Sequence, residues 1–252
     1  MDKATLLGIL LGFGAVFGGQ VLEGGHISAL IQPTAFLIVV GGTLGATLVS
    51  FPLGVIFKAL RDAKKALVYT EREPGQIIKT LAGYADKARR NGLLALEDEA
   101  KRSPDRFIKK GVSIMVDGGD AKQLQDFLEI EINTFEEEAK LSAEVFEAAG
   151  GFAPTIGIIG AVLGLIHVMN NLSNTAALGA GIAVAFVATI YGLMTANIIC
   201  IPISTKLKKR MKEELLIKEL TLKGLLDILE GVNPRFIVEK LQGFYLDKQE
   251  EK

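Results

Sequence analysis

The residues with the clearest chemical potential in this 252-residue sequence are hydroxyl groups set within apolar stretches. Thr189 lies near the middle of an uncharged stretch, 177–203, and Thr195 and Asn197 follow it toward the end of that stretch. A threonine in such a setting commonly donates to the carbonyl four residues earlier in its own helix. The alternative is that its oxygen lines a path for ions. Both interpretations of Thr189 remain open at this point.

Histidine and acidic residues decide what ion chemistry the chain could perform alone. His167 lies near the far end of a second uncharged stretch, 148–171. An interfacial or hydrogen-bonded histidine and a proton relay both fit that position. Proton and cation pathways in membranes usually carry a carboxylate, but none of the four long apolar stretches contains Asp or Glu. If ions cross a membrane here, another polypeptide must supply the acidic group.

Enzyme chemistry finds no support in the residue pattern. The sequence shows no nucleophile with a histidine partner, no cluster of metal ligands and no phosphate-binding loop. Cys200 is the single cysteine, so a disulfide framework within the chain is excluded. The net charge of −1 gives no case for binding nucleic acid. We therefore expect no enzyme activity, no metal site, no organic cofactor and no nucleic-acid partner.

Charge and apolar character are segregated along the chain, and this predicts an all-α membrane protein. The mean hydropathy is +0.35 although 23% of the residues are charged. Residues 148–205 contain no Asp, Glu, Lys or Arg. A helix needs about 20 apolar residues to cross about 30 Å of hydrocarbon. Four stretches satisfy this length and predict transmembrane helices at about 4–22, 35–57, 148–171 and 177–203.

Basic residues beside the spans predict their orientation. Lys and Arg follow the second span from Lys58 and the fourth from Lys206, whereas the connections 23–34 and 172–176 contain neither. Both termini should therefore lie in the cytoplasm. The predicted domains are transmembrane helices 1 and 2 (1–57), a helical cytoplasmic domain (58–147), transmembrane helices 3 and 4 (148–205) and cytoplasmic C-terminal helices with a tail (206–252).

Small residues define one face of the third span. Pro154, Gly157, Ala161 and Gly164 fall on the same side of a helix. In lipid, such a face allows another helix backbone to approach closely. We expect a close neighbour along this face, including a helix from another chain. A cytoplasmic helix should run directly into this span, with Gly150-Gly151 as its softest point.

Two prolines lie near the cytoplasmic side of the spans. Pro154 lies about 9 Å into the third span at 1.5 Å per residue, and Pro202 lies near the same membrane face at the end of the fourth. Each removes one helical hydrogen bond. The prolines either mark helix boundaries or form a paired hinge.

Two motifs in the third and fourth spans resemble a known family. Ala-Pro-Thr-Ile-Gly-Ile-Ile-Gly-Ala-Val-Leu-Gly-Leu-Ile (153–166) and Ala-Val-Ala-Phe-Val-Ala-Thr-Ile-Tyr-Gly (183–192) look like the A subunit of the bacterial flagellar stator. This is the MotA/PomA group, related to the ExbB/TolQ proteins, and the resemblance covers nearly the whole chain. It implies a ring of A subunits, understood as five, around two single-span B subunits. Those B subunits bind peptidoglycan and carry the ion-binding Asp, and ion flow would turn the flagellar rotor.

The resemblance also implies roles for charged residues of the cytoplasmic domain. The rotor-facing motif of the family matches Arg89, Gly92 and Glu97, with Arg90 as a further candidate. Taken alone, these are ordinary solvated charges. Complementary charge would steer and register the switch-complex protein of the rotor.

Within the membrane, the resemblance assigns Thr189 to the ion pathway and places Thr155, Ala161 and Gly164 beside the partner helix. Sodium-type members carry Thr where this chain has Ala161. One coordinating hydroxyl fewer leaves a dehydrated Na⁺ with less oxygen to bind. The implied ion is therefore H⁺ rather than Na⁺.

The two prolines fit the family unequally. Pro154 matches the proline of the family's third span. The second family proline lies about six residues before Pro202 in enteric-type members, near Ala196, so a one-to-one role for Pro202 is open.

The expected function is that of an ion-conducting stator subunit in the bacterial inner membrane. One alternative is an ExbB/TolQ-like protein that energises outer-membrane processes, usually with three spans and an external N-terminus. The other is a membrane scaffold that conducts no ions.

Overall fold

A computed structural model describes residues 3–68, 73–170, 172 and 175–250, and the regular structure in these ranges is helical. The described residues form two compact units. We call residues 3–68 with 139–209 the membrane unit and residues 73–138 with 210–250 the head unit. Four helical stretches are long and apolar enough to cross a membrane, as predicted: Ala4–Leu22, Ile27–Ser50, and the apolar parts of Ala121–Met169 and Leu178–Leu229.

The first half of the membrane unit ends its second span earlier than predicted. Phe51 is extended, with φ −132° and ψ 143°, because a residue that precedes proline is disfavoured in the α region. Pro52 therefore separates the span from a new helix, and the predicted span 35–57 is divided. The elements are α1 (Lys3–Leu22), a 3₁₀ turn (Ile27–Leu30), α2 (Pro33–Phe36), a π turn (Leu37–Gly41), α3 (Gly42–Ser50) and α4 (Leu53–Val68).

Long helices carry the third and fourth spans. The third lies in α8 (Ala121–Met169), one helix of 49 residues, so the predicted continuity is confirmed and Gly150-Gly151 does not interrupt it. The fourth comprises α9 (Thr175–Met194) and a π turn (Thr195–Cys200), which leads without a break into α10 (Ile201–Leu229). Of the connection predicted at 172–176, residues 173 and 174 lie outside the described residues, and α9 already begins at Thr175.

The head unit has a core of large aliphatic side chains. Leu81, Leu124, Leu220 and Leu225 are fully buried within it. Its further helices are α5 (Pro74–Asn91), α6 (Glu97–Arg102), α7 (Arg106–Val116) and α11 (Pro234–Glu250), joined by the ends of α8 and α10 and by a 3₁₀ turn (Leu93–Leu96).

Candidate functional site

The third and fourth spans pack backbone against backbone. A Cβ atom added at Gly157 would lie 2.9 Å from the carbonyl oxygen of Ala188, and one added at Gly192 would lie 2.6 Å from that of Ala153. Real Cβ atoms do not approach oxygen atoms so closely. Only glycine allows the two helices this separation, which is the packing expected of small residues in lipid.

Gly164 shows where the small-residue face of the third span is directed. Its added Cβ would lie 2.8 Å from both the Gly181 carbonyl oxygen and the Ala185 nitrogen. This neighbour is α9 of the same chain, so Gly164 packs against the fourth span, and its placement beside a partner helix stays a prediction. Ala161, by contrast, stays half-buried. The close neighbour expected along this face is supplied within the chain.

The two threonines of the candidate pathway have different surroundings. Thr189 is half-buried, lies against Gly157, and donates from Oγ1 to the carbonyl of Ala185 at 3.2 Å. Thr155 is exposed and donates to the carbonyl of Phe152 at 2.8 Å. Both hydroxyls thus make the local bond that threonine commonly makes in a helix. Each oxygen keeps its lone pairs as acceptors, so neither bond prevents contact with a cation.

The two prolines lie next to one contact between the long helices. Pro154 lies inside α8, where it deprives the carbonyl of Gly150 of its helical donor. A Cβ at Gly150 would lie 2.9 Å from Ile201 Cγ1, one residue before Pro202. Pro202 itself follows the π turn of the fourth span. Weakened backbone bonding in both helices therefore occurs around the same contact, although Gly150-Gly151 leaves α8 unbroken.

A buried hydroxyl in the second span was not identified from the sequence. Thr43 is 5% exposed, and its Oγ1 has no hydrogen-bond partner among the described residues. Thr47 donates to the carbonyl of Thr43 at 2.8 Å. Both follow the π turn, a helical irregularity often found at functional positions. Apolar spacing alone gives no signal for such a group.

Tyr191 fastens the start of the second span to the fourth. Its hydroxyl donates to the carbonyl of Leu30 at 2.5 Å and accepts from the Gln32 amide at 3.4 Å. Its ring meets that of Phe36 edge to face, with centroids 6.3 Å apart. Sequence reasoning did not assign this role. The available signal was a tyrosine within an apolar stretch, because a buried hydroxyl usually needs a partner.

The candidate rotor-contact charges lie around the turn from α5 to α6. Gly92 has φ +80° and ends α5, with its amide donating to the carbonyl of Ala88 at 2.8 Å. Arg90 forms an ion pair with Asp86 one turn earlier. Arg89 is exposed and has no ion-pair partner within the part of the chain that is described. The turn therefore presents Arg89 as the available positive charge.

The acidic side of this turn is already engaged in ion pairs. Glu97 accepts from Lys101 at 2.6 Å, which raises the pKa of Lys101. Glu99 accepts from Lys87 at 2.8 Å, which lowers the pKa of Glu99. Burial, and then the negative charge of Glu99, raise the pKa of Tyr84. Of the three predicted contact residues, Arg90 and Glu97 have partners in their own helices and Arg89 has none among the described residues.

Comparisons with known proteins agree with this architecture. Residues 6–92 match the motility protein A N-terminal family, and residues 99–219 match the MotA/TolQ/ExbB proton channel family. Among the relatives, motility protein A of Bacillus subtilis is 38% identical over 247 residues, covering 96% of this chain and 90% of that protein. Chemotaxis protein PomA of Vibrio alginolyticus is 37% identical and covers 97% and 95%.

Solved structures extend the likeness to three dimensions. The MotAB structure from C. jejuni superposes with a TM-score of 0.91 at 32% identity, over 97% of this chain and 96% of that one. The flagellar MotAB stator complex from Bacillus subtilis gives 0.88 at 37% identity and covers 99% of each chain. These relatives are channel and motility proteins rather than enzymes. The chain therefore belongs to the MotA/TolQ/ExbB proton channel family.

Proposed function

We propose that this chain is the A-type, ion-conducting subunit of a flagellar stator in the bacterial inner membrane. It couples ion flow, through a B-type partner, to torque on the rotor. The observation that carries the proposal is the uncharged hairpin 148–205, whose spans pack through Gly157 and Gly192 yet hold no carboxylate. A pathway built this way is incomplete until a partner brings an acidic group.

The outward faces of the hairpin have the character of surfaces that other helices or lipid cover. Ile159, Leu163 and Ile166 of the third span are about half exposed in the single chain. The two solved structures described above are MotAB assemblies, so oligomeric assembly with a B-type subunit is the coarse conclusion. The finer proposal is a ring of five A subunits around a B dimer that is anchored to peptidoglycan. Lipid covers the outer surface of that ring.

The transported ion in this proposal is the proton. Ala161 provides no oxygen ligand, so the candidate pathway residues of the third and fourth spans offer only the hydroxyl oxygens of Thr155 and Thr189. A sodium ion gives up hydration only where several oxygens replace it. The variant Ala161→Thr restores a hydroxyl at this position. We expect it to make motility sensitive to Na⁺ concentration, whereas Ala161→Val, which has the shape of threonine but no hydroxyl, is the matched control and should not.

Torque depends on the turn between α5 and α6. Arg89 is the available charge, whereas Arg90 and Glu97 are held by Asp86 and Lys101. A complementary acidic surface on the rotor would meet Arg89 first.

Pro154 and Pro202 form the paired hinge that transmits movement of the spans. In the proposed topology both termini are cytoplasmic, because the basic residues lie after the second and fourth spans.

The decisive experiment expresses the chain with its B-type partner in a motile host that lacks its own stator. Swimming and proton uptake by the cells are measured together. We expect both to be restored by the wild type, and Arg89→Glu to abolish swimming while proton uptake persists. Lys79→Glu, an exposed charge on the same helix, is the matched control and should swim normally.

Three outcomes would contradict the proposal. Proton uptake without rotor-dependent swimming in the wild type would favour an ExbB/TolQ-like energiser. Neither uptake nor swimming, with the complex present in the membrane, would favour a non-conducting scaffold. An externally located N-terminus, read by labelling of a cysteine placed at the N-terminus, would overturn the topology.

A further inference from the structure

Helix α4 has a buried face made only of small residues. Ala59, Ala63 and Ala66 are at most 7% exposed. Ala66 packs in a cluster with Ala143 of α8 and Leu207 of α10. This face therefore lies on the long helices of the membrane unit, and the opposite face is left open.

The open face is apolar where a water-facing helix would be polar. Leu53, Phe57 and Leu60 are 62%, 64% and 54% exposed. Their spacing of four and three residues places them on one side of the helix. Three large side chains in a row on an exposed helix face mark a surface that meets something other than water.

Positive charge borders these apolar side chains. At 100° per residue, Lys64 falls between Leu53 and Phe57 in angle, and Arg61 lies beside them. Both side chains are exposed, and the side chain of Lys65 is 71% exposed. The open face thus combines apolar and basic groups.

The single acidic residue of α4 does not neutralise this face. Asp62 points to the buried side, where it accepts from Ser142 Oγ at 2.9 Å. Its other oxygen lies 3.7 Å from Lys65 Nζ. That separation is long, and the lysine remains mostly exposed, so the pair leaves its charge available. The open face carries a net positive charge.

The position of α4 along the chain places this face at the membrane boundary. The second span ends at Ser50, and the extended Phe51 with Pro52 redirects the chain into α4 at Leu53. The apolar residues come in the first half of the helix and Lys64 and Lys65 in the second. Lysine and arginine beside such apolar side chains lay their stems along the apolar surface and keep their charges at the headgroups. Helix α4 thus suits the interface, with its large apolar side chains in the acyl region.

We infer that α4 is a binding surface for anionic phospholipid. Leu53, Phe57 and Leu60 insert into the cytoplasmic leaflet, and Arg61, Lys64 and Lys65 bind the phosphate groups of acidic lipids. Each such cation adds to the attraction for an anionic surface. A second copy of this chain fits the surface less well, because its own α4 would bring like charges. The inference rests on the topology proposed above and not on ion flow.

Tryptophan fluorescence in lipid nanodiscs tests the inference, because the chain contains no native Trp. Phe57→Trp in the otherwise intact full-length chain reports the surroundings of the open face. Its quenching is compared between equal mole fractions of spin-labelled phosphatidylglycerol and spin-labelled phosphatidylcholine. We expect the anionic lipid to quench at least about threefold more strongly, given the added attraction per basic residue.

Two control variants separate charge from burial in lipid. Adding Arg61→Gln, Lys64→Gln and Lys65→Gln to the reporter should bring the quenching ratio to about one while quenching itself persists. Leu11→Trp on the first span, 70% exposed and distant in sequence from basic clusters, should be quenched equally by both lipids.

The outcomes distinguish the competing occupants. Equal quenching of Phe57→Trp by the two lipids would overturn the anionic preference. Absence of quenching by either lipid would overturn the lipid surface and show that protein covers α4. If the wild-type chain fails to restore swimming in the stator-deficient host while Phe57→Trp still shows the anionic preference in nanodiscs, the result counts against the proposed stator function alone.

Discussion

The membrane unit and the head unit are packed on opposite principles. In the head unit, large side chains such as Leu81 and Leu220 fill the core, and of the charged side chains only Asp227 is buried among the described residues. In the membrane unit, glycine and alanine fill the contacts, and large side chains such as Leu11 and Phe186 face outward, 70% and 69% exposed. Large apolar side chains are therefore buried in the core of the head unit but exposed on the surface of the membrane unit.

This difference follows from the solvent of each unit. Water drives large apolar side chains together, so the head unit gains stability from burying them. Lipid gives no such drive between helices, and close backbone approach supplies the packing energy instead. The apolar side chains that face outward in the membrane unit then remain free to contact lipid or partner subunits.

The largest expected effect is on the free energy of unfolding, when the same change, leucine to alanine, is made once in each unit. Leu220→Ala removes a fully buried side chain from the head unit and should cost about 2–5 kcal/mol. Leu11→Ala, at an exposed position of the first span, should cost less than about 0.5 kcal/mol. Thermal unfolding in detergent, followed by circular dichroism, measures both. Equal losses at the two sites would break the comparison.

Glycine-to-alanine substitutions should destabilise the membrane unit and not the head unit, which is the reverse of the leucine substitutions. Gly192→Ala places a Cβ 2.6 Å from the Ala153 carbonyl oxygen and should cost about 1–3 kcal/mol by overpacking. Gly83→Ala in α5 meets nothing within 4 Å and should stabilise by up to about 1 kcal/mol through helix propensity. The same thermal unfolding experiment measures the expected loss of stability in the first variant and the expected gain in the second. A stable Gly192→Ala variant would show that the spans do not require backbone contact.

Features governed by local chemistry were predictable from the sequence. The four spans follow from length and hydropathy, and the break after Asn91 follows from Gly92, whose φ of +80° suits glycine. The end of the second span at Ser50 was not predicted, although the sequence contained the signal for it, since Pro52 restricts Phe51. The ion pairs of Arg90 and Glu97 follow from partners four residues away.

Features governed by packing between distant segments were not predictable. Gly164 was recognised as a contact residue, but periodicity does not say which helix it meets. The π turns of the second and fourth spans have no composition of their own. The partner of Tyr191 is Leu30, separated by 161 residues. Such contacts require the three-dimensional arrangement of the spans.

The Tyr191 contact sharpens the comparison, because it is a polar contact within the membrane unit. Tyr191→Phe removes the bond to the Leu30 carbonyl while keeping the ring, and should cost about 1 kcal/mol. Hydrogen exchange at Gln32, whose amide bonds to the same hydroxyl, should accelerate severalfold. Tyr84→Phe in the head unit is the control and should leave exchange at Gln32 unchanged. Unaltered protection of Gln32 in Tyr191→Phe would show that the Tyr191 hydroxyl does not hold the start of the second span in place.

The smallest expected effect concerns exposed charges of the head unit and depends on pH. Lys87 lowers the pKa of Glu99 in the folded state, so the pair contributes stability above the unfolded pKa of about 4.3. That contribution is lost as the pH falls through the lower folded pKa, because the carboxylate takes up its proton. Lys87→Gln should therefore melt slightly below the wild type at neutral pH, and the difference should vanish in acid. Lys79→Gln, an exposed lysine of the same helix, should show no such pH-dependent difference; if it does, the effect belongs to net charge and not to the Lys87–Glu99 pair.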